Sequence, residues 1–415
     1  MATSRRLLIA VVLVVAFLPT AARACPFCAK VGVTLGSQIK SAQIAMIAKL
    51  VERRTIERPA ERTGDALGDA IEKGKSTFEV VRVIKGQKLI AGHRRFKAIC
   101  LDEAPPGALF LALGGTASKE TGAKELVWQP PLVIGEHGPR YVDELLKLPK
   151  SGPGRLAFFQ KHLRDKHPTL AEDAFAEFAK APYADVVGLK DRMKHDDLVA
   201  WIKDPRTTTS RRRLFFTMLG ICGNKNDLPL LESLIKSDDA KQKRGLDALL
   251  ACYLRLAGAR GLPLVEERFL KSSTFGGEEV AYTETYAAIQ ALRFLGEESD
   301  AIGRERLMVG LRYLLDRPLL ADLVIPDLAR WGDWSVIDRL VKLFKEADKE
   351  SKWVRVPIVR YLQACPLPAA KKHIQQLARI DPGAIKRASI QFPSGGVRPL
   401  RPSNPPKKAD SRKSK

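Results

Sequence analysis

Cys25-Pro26-Phe27-Cys28 is the short run in this sequence with evident chemical potential. A Cys-x-x-Cys pair can close as a disulfide, exchange disulfides with another protein, or offer two thiolates to a metal ion. Thiol exchange normally places the pair at the start of a helix that follows a strand, where the helix N-terminus lowers the thiol pKa. Here the motif is expected at the mature N-terminus, with no strand before it. A metal site needs further ligands, and no second closely spaced Cys or His pair occurs. Haem attachment fails because residue 29 is Ala rather than His. A structural disulfide is therefore the leading expectation, from Cys100 in a predicted strand to either Cys25 or Cys28, with exchange chemistry through Cys25 and Cys28 as the alternative.

The helical cysteines fit neither role. In repeat register Cys222 lies further along its helix than Cys252 does along its own, by about seven residues or ~10 Å, which exceeds disulfide reach. Cys222, Cys252 and Cys365 read as small buried apolar residues.

The compartment follows from what precedes the motif. Arg5 and Arg6, the apolar run from Leu7 to Leu18, and Ala22-Arg23-Ala24 form the basic, apolar and cleavage regions of a signal peptide over residues 1–24. A bilayer-spanning helix needs roughly 20 apolar residues, which this run does not reach. Export to the periplasm or beyond is expected, with a mature chain starting at Cys25 and carrying no transmembrane anchor. An oxidising destination favours the disulfide.

The formal net charge is +23, but it is unevenly placed. Nine Lys and Arg against one acid fall between residues 386 and 415, and the signal segment adds three more cations. From 393 to 415 the sequence is rich in Pro, Ser, Lys and Arg and poor in apolar residues, so a disordered basic tail is expected. No recognition helix, RNA-binding aromatic pair or zinc finger accompanies the charge, which argues against sequence-specific nucleic-acid binding. The tail reads first as a solubilising segment, with attachment to a polyanion such as an anionic envelope polymer as the alternative.

Two regions of different pattern must position these residues. Between 25 and 150 the segments 44–51, 77–84, 96–101, 108–113 and 125–129 are short, β-branched and aromatic. They predict a small five-stranded β-barrel, with residues 58–75 as a polar loop. From 155 to 388 the pattern is helical and repeats. Taking Leu219, Leu256, Leu295, Ala329 and Gln363 as equivalent helix ends gives spacings of 37, 39, 34 and 34 residues. A helix pair recurring at that period predicts an α-solenoid, with helices between 155 and 203 capping it. The fold class expected is α+β multidomain.

Two resemblances rest on these segments. The pairs carrying Cys222 to Leu231 and Trp331 to Ile337 resemble HEAT-type repeats over residues 210–380, which implies an interaction scaffold without specifying an activity. The N-terminal Cys, the strand ending near Lys49, the segment Phe78 to Gly86 and Cys100 resemble the netrin-like module of tissue inhibitors of metalloproteinases. That family has a five-stranded oligonucleotide/oligosaccharide-binding (OB) barrel, and its first Cys chelates the zinc of the target protease. By resemblance Cys25 takes that role, although this chain begins Cys-x-x-Cys where the family begins Cys-x-Cys. The layout also resembles secreted bacterial proteins with a CPFC start, which implies no activity.

No metalloprotease helix, nucleophile elbow or phosphate-binding glycine loop occurs. His162, Asp165 and His167 are close in sequence but read as a solvated loop before Pro168. Trp331 and Trp334 read as packing residues. No catalytic residue, resident metal or cofactor is expected. The expected function is that of an exported, non-enzymatic scaffold for an extracytoplasmic protein or anionic polymer, the alternative being a thiol-disulfide or metalloprotease-regulating protein acting through the CPFC motif.

Overall fold

The structure is a computed structural model that describes residues 32–56, 64–90, 92–118, 124–271, 273–275 and 277–390. The expected signal peptide, Cys25, Cys28 and the basic tail lie outside these residues. The chain divides into two compact units with the boundary between Lys194 and His195. The helices from 155 to Lys194 therefore group with the sheet.

In the first unit, α1 (Leu35–Ser41) leads into β1 (Ile44–Glu52), α2 (Gly64–Lys73), β2 (Ser76–Lys85), β3 (Arg95–Ala98), β4 (Leu109–Ser118), β5 (Lys124–Trp128) and β6 (Leu132–Val133). Four helices follow: α3 (Gly138–Lys147), α4 (Pro153–Gln160), α5 (Pro168–Lys180) and α6 (Tyr183–Val187). The six strands form one antiparallel sheet, ordered β3-β2-β1-β4-β5 with β6 also paired to β4. This corrects the expectation of a closed five-stranded barrel. Edge strands β3 and β5 share no ladder, yet their rings meet, with Phe96 and Trp128 centroids 4.4 Å apart. The sheet curls until its edges face one another, and aromatic packing rather than hydrogen bonding joins them.

The alternation of strand side chains explains how this core forms. Ile44, Met46, Ala48 and Leu50 line one face of β1 and pack with Phe78, Phe96 and Phe110. Ala45 and Ile47, on the opposite face, are buried as well. Arg82 lies beside Ile47 in the β1–β2 register and pairs with Asp143 of α3 at 2.6 Å, which places that helix over the second face. The polar stretch read as a loop instead contains helix α2; its low apolar content hid the helical signal.

In the second unit the helices come in pairs. After α7 (His195–Lys203) they are α8 (Thr209–Cys222) with α9 (Leu228–Lys236), α10 (Leu246–Ala257) with α11 (Leu262–Val265), and α12 (Tyr282–Glu298) with α13 (Arg304–Arg312). Then follow α14 (Ile325–Arg330) with α15 (Ile337–Glu346), α16 (Arg355–Ala364) with α17 (Pro368–Ile380), and a final α18 (Pro382–Ser389). A π-helical turn, Glu266–Leu270, extends α11, and the two-residue strands β7 (Thr274–Phe275) and β8 (Glu278–Glu279) lie before α12. First helices pack on first helices of neighbouring pairs: α10 contacts both α8 and α12, and α16 contacts both α14 and α18. The run Leu246–Leu270 is apolar and long enough to cross a membrane by composition. Gly258 breaks it at φ 66°, and most of its apolar side chains lie in the core of the unit.

Two arginine–carboxylate pairs with buried acids each join one first helix to the next. Arg213 of α8 reaches Asp247 of α10 at 2.8 Å, and Arg293 of α12 reaches Asp327 of α14 at 2.6 Å. Each pair spans 34 residues. Asp327 has no solvent exposure and also accepts from Arg330 at 2.8 Å. Burial pushes its carboxyl up, and the two guanidinium charges oppose that shift.

Candidate functional site

Cys100 sits just beyond β3, half-buried, with its Sγ donating weakly to the Asp102 carbonyl at 3.5 Å. Burial pushes its thiol above the ordinary range, and the Asp102 contact only partly offsets this. Such a thiol is not an activated nucleophile. Cys100 has no disulfide partner among the described residues; both expected partners, Cys25 and Cys28, lie outside them. Cys252 is fully buried and its thiol is raised by desolvation, as a small apolar residue in a helix core would be. No disulfide joins it to Cys222, nor does either bond to Cys365.

The first unit holds a polar cluster where a solvated loop was expected. The side chain of Asp165 is only 9% exposed and works as a hub. His162 Nδ1 donates to its Oδ2 at 2.8 Å, the His167 backbone N–H donates to its Oδ1 at 2.8 Å, and His137 Nε2 lies 3.6 Å from that same oxygen. Burial pushes the Asp165 carboxyl up. The His162 and His167 hydrogen bonds, together with the His162 and His137 rings, outweigh burial and hold it below its ordinary value. The loop before α3 thus docks on the loop before α5. Gly135 permits the close approach: its φ is 67°, and a Cβ there would lie 2.6 Å from His167 Cδ2.

A second buried carboxylate lies next to this hub. Asp173 accepts from the Leu35 backbone N–H at 2.6 Å and from the Tyr141 hydroxyl at 2.7 Å, tying α1 and α3 to α5. Burial pushes its carboxyl up to about 6 in spite of both donors. The Tyr141 ring stands edge-on to His162, with centroids 4.7 Å apart. One turn further along α5, Glu177 takes a two-pronged contact from Arg155 at 2.8 and 3.0 Å.

A scan against protein families and a search of curated proteins each return no match. Among solved structures, human deoxyhypusine hydroxylase in complex with glycerol is similar at 18% identity and a TM-score of 0.22, over 60% of this chain and 88% of that one. A similarity at that score identifies no fold and no activity.

What the cluster can do must come from its own geometry. With Nδ1 turned to Asp165, the His162 ring leaves Nε2 on the far side from that carboxylate, the orientation used by a base or by a metal ligand. Among the described residues, however, no three His, Cys, Asp or Glu side chains are placed to hold a metal ion. What the contacts show is that Asp165 ties the loop carrying His162 and His167 to the loop carrying His137. Sequence spacing had brought His162, Asp165 and His167 together but missed His137, Tyr141 and Asp173, which come from other segments and carry no local signal.

The tryptophans singled out from the sequence pack within the helical unit. Trp331 lies against α12, where a Cβ on Gly296 would come 2.5 Å from its ring. Trp334 meets Tyr361 edge-on at 5.1 Å.

Proposed function

We propose that this chain is an exported, non-enzymatic interaction scaffold whose helical unit is a short HEAT-like solenoid. The observation that carries the reading is the repeated tie between successive first helices, Arg213 to Asp247 and Arg293 to Asp327, each across 34 residues. Links between one pair and the next, here at the α8–α10 and α12–α14 steps, are what neighbour-stabilised helix pairs use. The partner is an extracytoplasmic protein or an anionic polymer.

Aromatic side chains at the entrances to first helices support the binding role. Tyr282 and Tyr286 stand one turn apart on α12, stacked at 6.0 Å and exposed, and Trp353 lies exposed just before α16. Exposed aromatics are favoured anchors at protein interfaces. A photo-crosslinker placed at residue 282 or 286 in the exported protein should give a discrete adduct. Tyr282→Ala with Tyr286→Ala should remove partner binding, whereas Cys25→Ser with Cys28→Ser should leave it intact. Loss of binding in the cysteine variant alone would favour thiol chemistry instead.

A further inference from the structure

Arg212 departs from the ion pairs that tie the helices of this unit. Arg212, on the first turns of α8, is 3% exposed. Its Nη1 donates to the carbonyls of Lys241 and Gln242 at 2.9 and 3.1 Å, and its guanidinium lies over the Phe216 ring at 5.3 Å. Among the described residues the buried Nε meets no acceptor, and no carboxylate pairs with the group. Neighbouring Arg213, by contrast, has Asp247.

A second guanidinium stands beside it. Arg244 donates from Nε to the same Lys241 carbonyl at 3.2 Å and from Nη2 to the Pro205 carbonyl at 3.0 Å. Neither cation has a counter-ion among the described residues. Burial, and then the charge on Arg244, push the Arg212 guanidinium down to about 10. A desolvated, unpaired cation is strongly unfavourable, and two sharing one carbonyl are more so.

We propose that Arg212 and Arg244 form a binding site for a tetrahedral phosphate-type oxyanion, held between the start of α8 and the 237–245 loop. The Arg212 Nε–H, which has no acceptor, offers a donor to one oxygen of such a group, and two positive charges suit a dianion better than a monoanion. Thr208 caps α8 from outside, accepting from the Arg211 N–H, so the positive end of the helix dipole adds to the same field. This site stands on the local charge imbalance and does not depend on the scaffold reading.

The test uses the purified full chain and inorganic phosphate, with chloride at matched ionic strength. Wild type should show a saturable rise in melting temperature and a broadened ³¹P signal with phosphate, and neither with chloride. Arg244→Gln, at a partly exposed position that need not disturb folding, should weaken phosphate binding by about tenfold or more, as expected for loss of a charge-assisted contact. Arg212→Met should lose the response, and Arg206→Ala, at an exposed pair nearby, should keep it. Acetate should bind at least about tenfold more weakly than phosphate. Glycerol 3-phosphate binding more tightly than inorganic phosphate would support the site and identify an esterified group as its ligand, and the reverse order would support it for the free ion. An absent or unsaturable response in wild type, a response unchanged in Arg244→Gln, or acetate binding as well as phosphate would overturn the proposal.

Discussion

The sheet unit and the helical unit solve the same packing problem by different means. In the sheet unit the decisive contacts join residues far apart in sequence: Phe78, Phe96, Phe110 and Trp128 come from four strands and fill the curl that brings the two sheet edges together. In the helical unit the decisive contacts recur between neighbouring pairs, with Arg213 and Arg293 each meeting an acid 34 residues on. The difference teaches that helices packed on their chain neighbours can be tied by half-buried ion pairs of short sequence reach, whereas the core of the sheet is closed by rings from distant strands.

The largest effects should come from breaking each unit at its own kind of contact. Phe110→Ala should lower stability by about 3–5 kcal/mol in chemical denaturation, because a fully buried ring leaves a cavity among Phe78 and the β1 side chains. Asp327→Ala should cost a similar ~3–5 kcal/mol by leaving Arg293 and Arg330 without their shared acid. Were Asp327→Ala close to neutral, the charge-linked description of the helical unit would fail while the aromatic description of the sheet unit stood.

A smaller and pH-dependent effect belongs to Asp173. Its folded pKa is raised to about 6 by burial, so its contribution is fully present below the unfolded value and is lost as pH rises through about 6. The first unit should therefore lose up to ~3 kcal/mol between about pH 4 and pH 7 from this group. Asp173→Asn, which keeps an acceptor for the Leu35 N–H, should flatten that slope and match or exceed wild-type stability at pH 7. Asp173→Ala should be destabilised by about 1–3 kcal/mol through loss of both partners. Thermal melts across pH check all three variants, and an unchanged slope in Asp173→Asn would remove Asp173 as the cause.

The smallest effect lies at the start of the helical unit. His195 faces Asp196 at 2.9 Å and Asp227 at 2.7 Å, one carboxylate on each ring nitrogen. The hydrogen bonds to Asp196 and then Asp227 raise its pKa. Its contribution is present below the unfolded histidine value and is lost as pH rises through the raised one. His195→Gln should therefore remove a modest stability loss above neutral pH, read from melting curves between about pH 6 and pH 8.

These two regions were unequally legible in the sequence. The helices could be read because their apolar spacing is a local signal: predicted 213–222 became Thr209–Cys222, and 282–295 became Tyr282–Glu298. The strands were also found, since β-branched runs such as 44–51 are local signals. The sheet's closure was not, because whether β3 meets β5 by a ladder or only through Phe96 and Trp128 depends on curl, which no local pattern encodes. The candidate site was less legible still. Asp165 looked like a loop residue beside Pro168, and the His137 that faces it comes from the loop before α3, whose Gly135 lies close against His167. Arg212 was one of three adjacent arginines, and only the fold separates the paired Arg213 from the unpaired Arg212.

The central claim, that the helical unit is an array of neighbour-stabilised pairs, is tested most directly by hydrogen exchange on the full chain carrying Asp327→Ala. The account predicts that protection falls most in α12, α14 and α16, less in α10, and little in α8 or the sheet strands. A uniform loss across the helical unit, or a loss equal in β1 and α14, would contradict it.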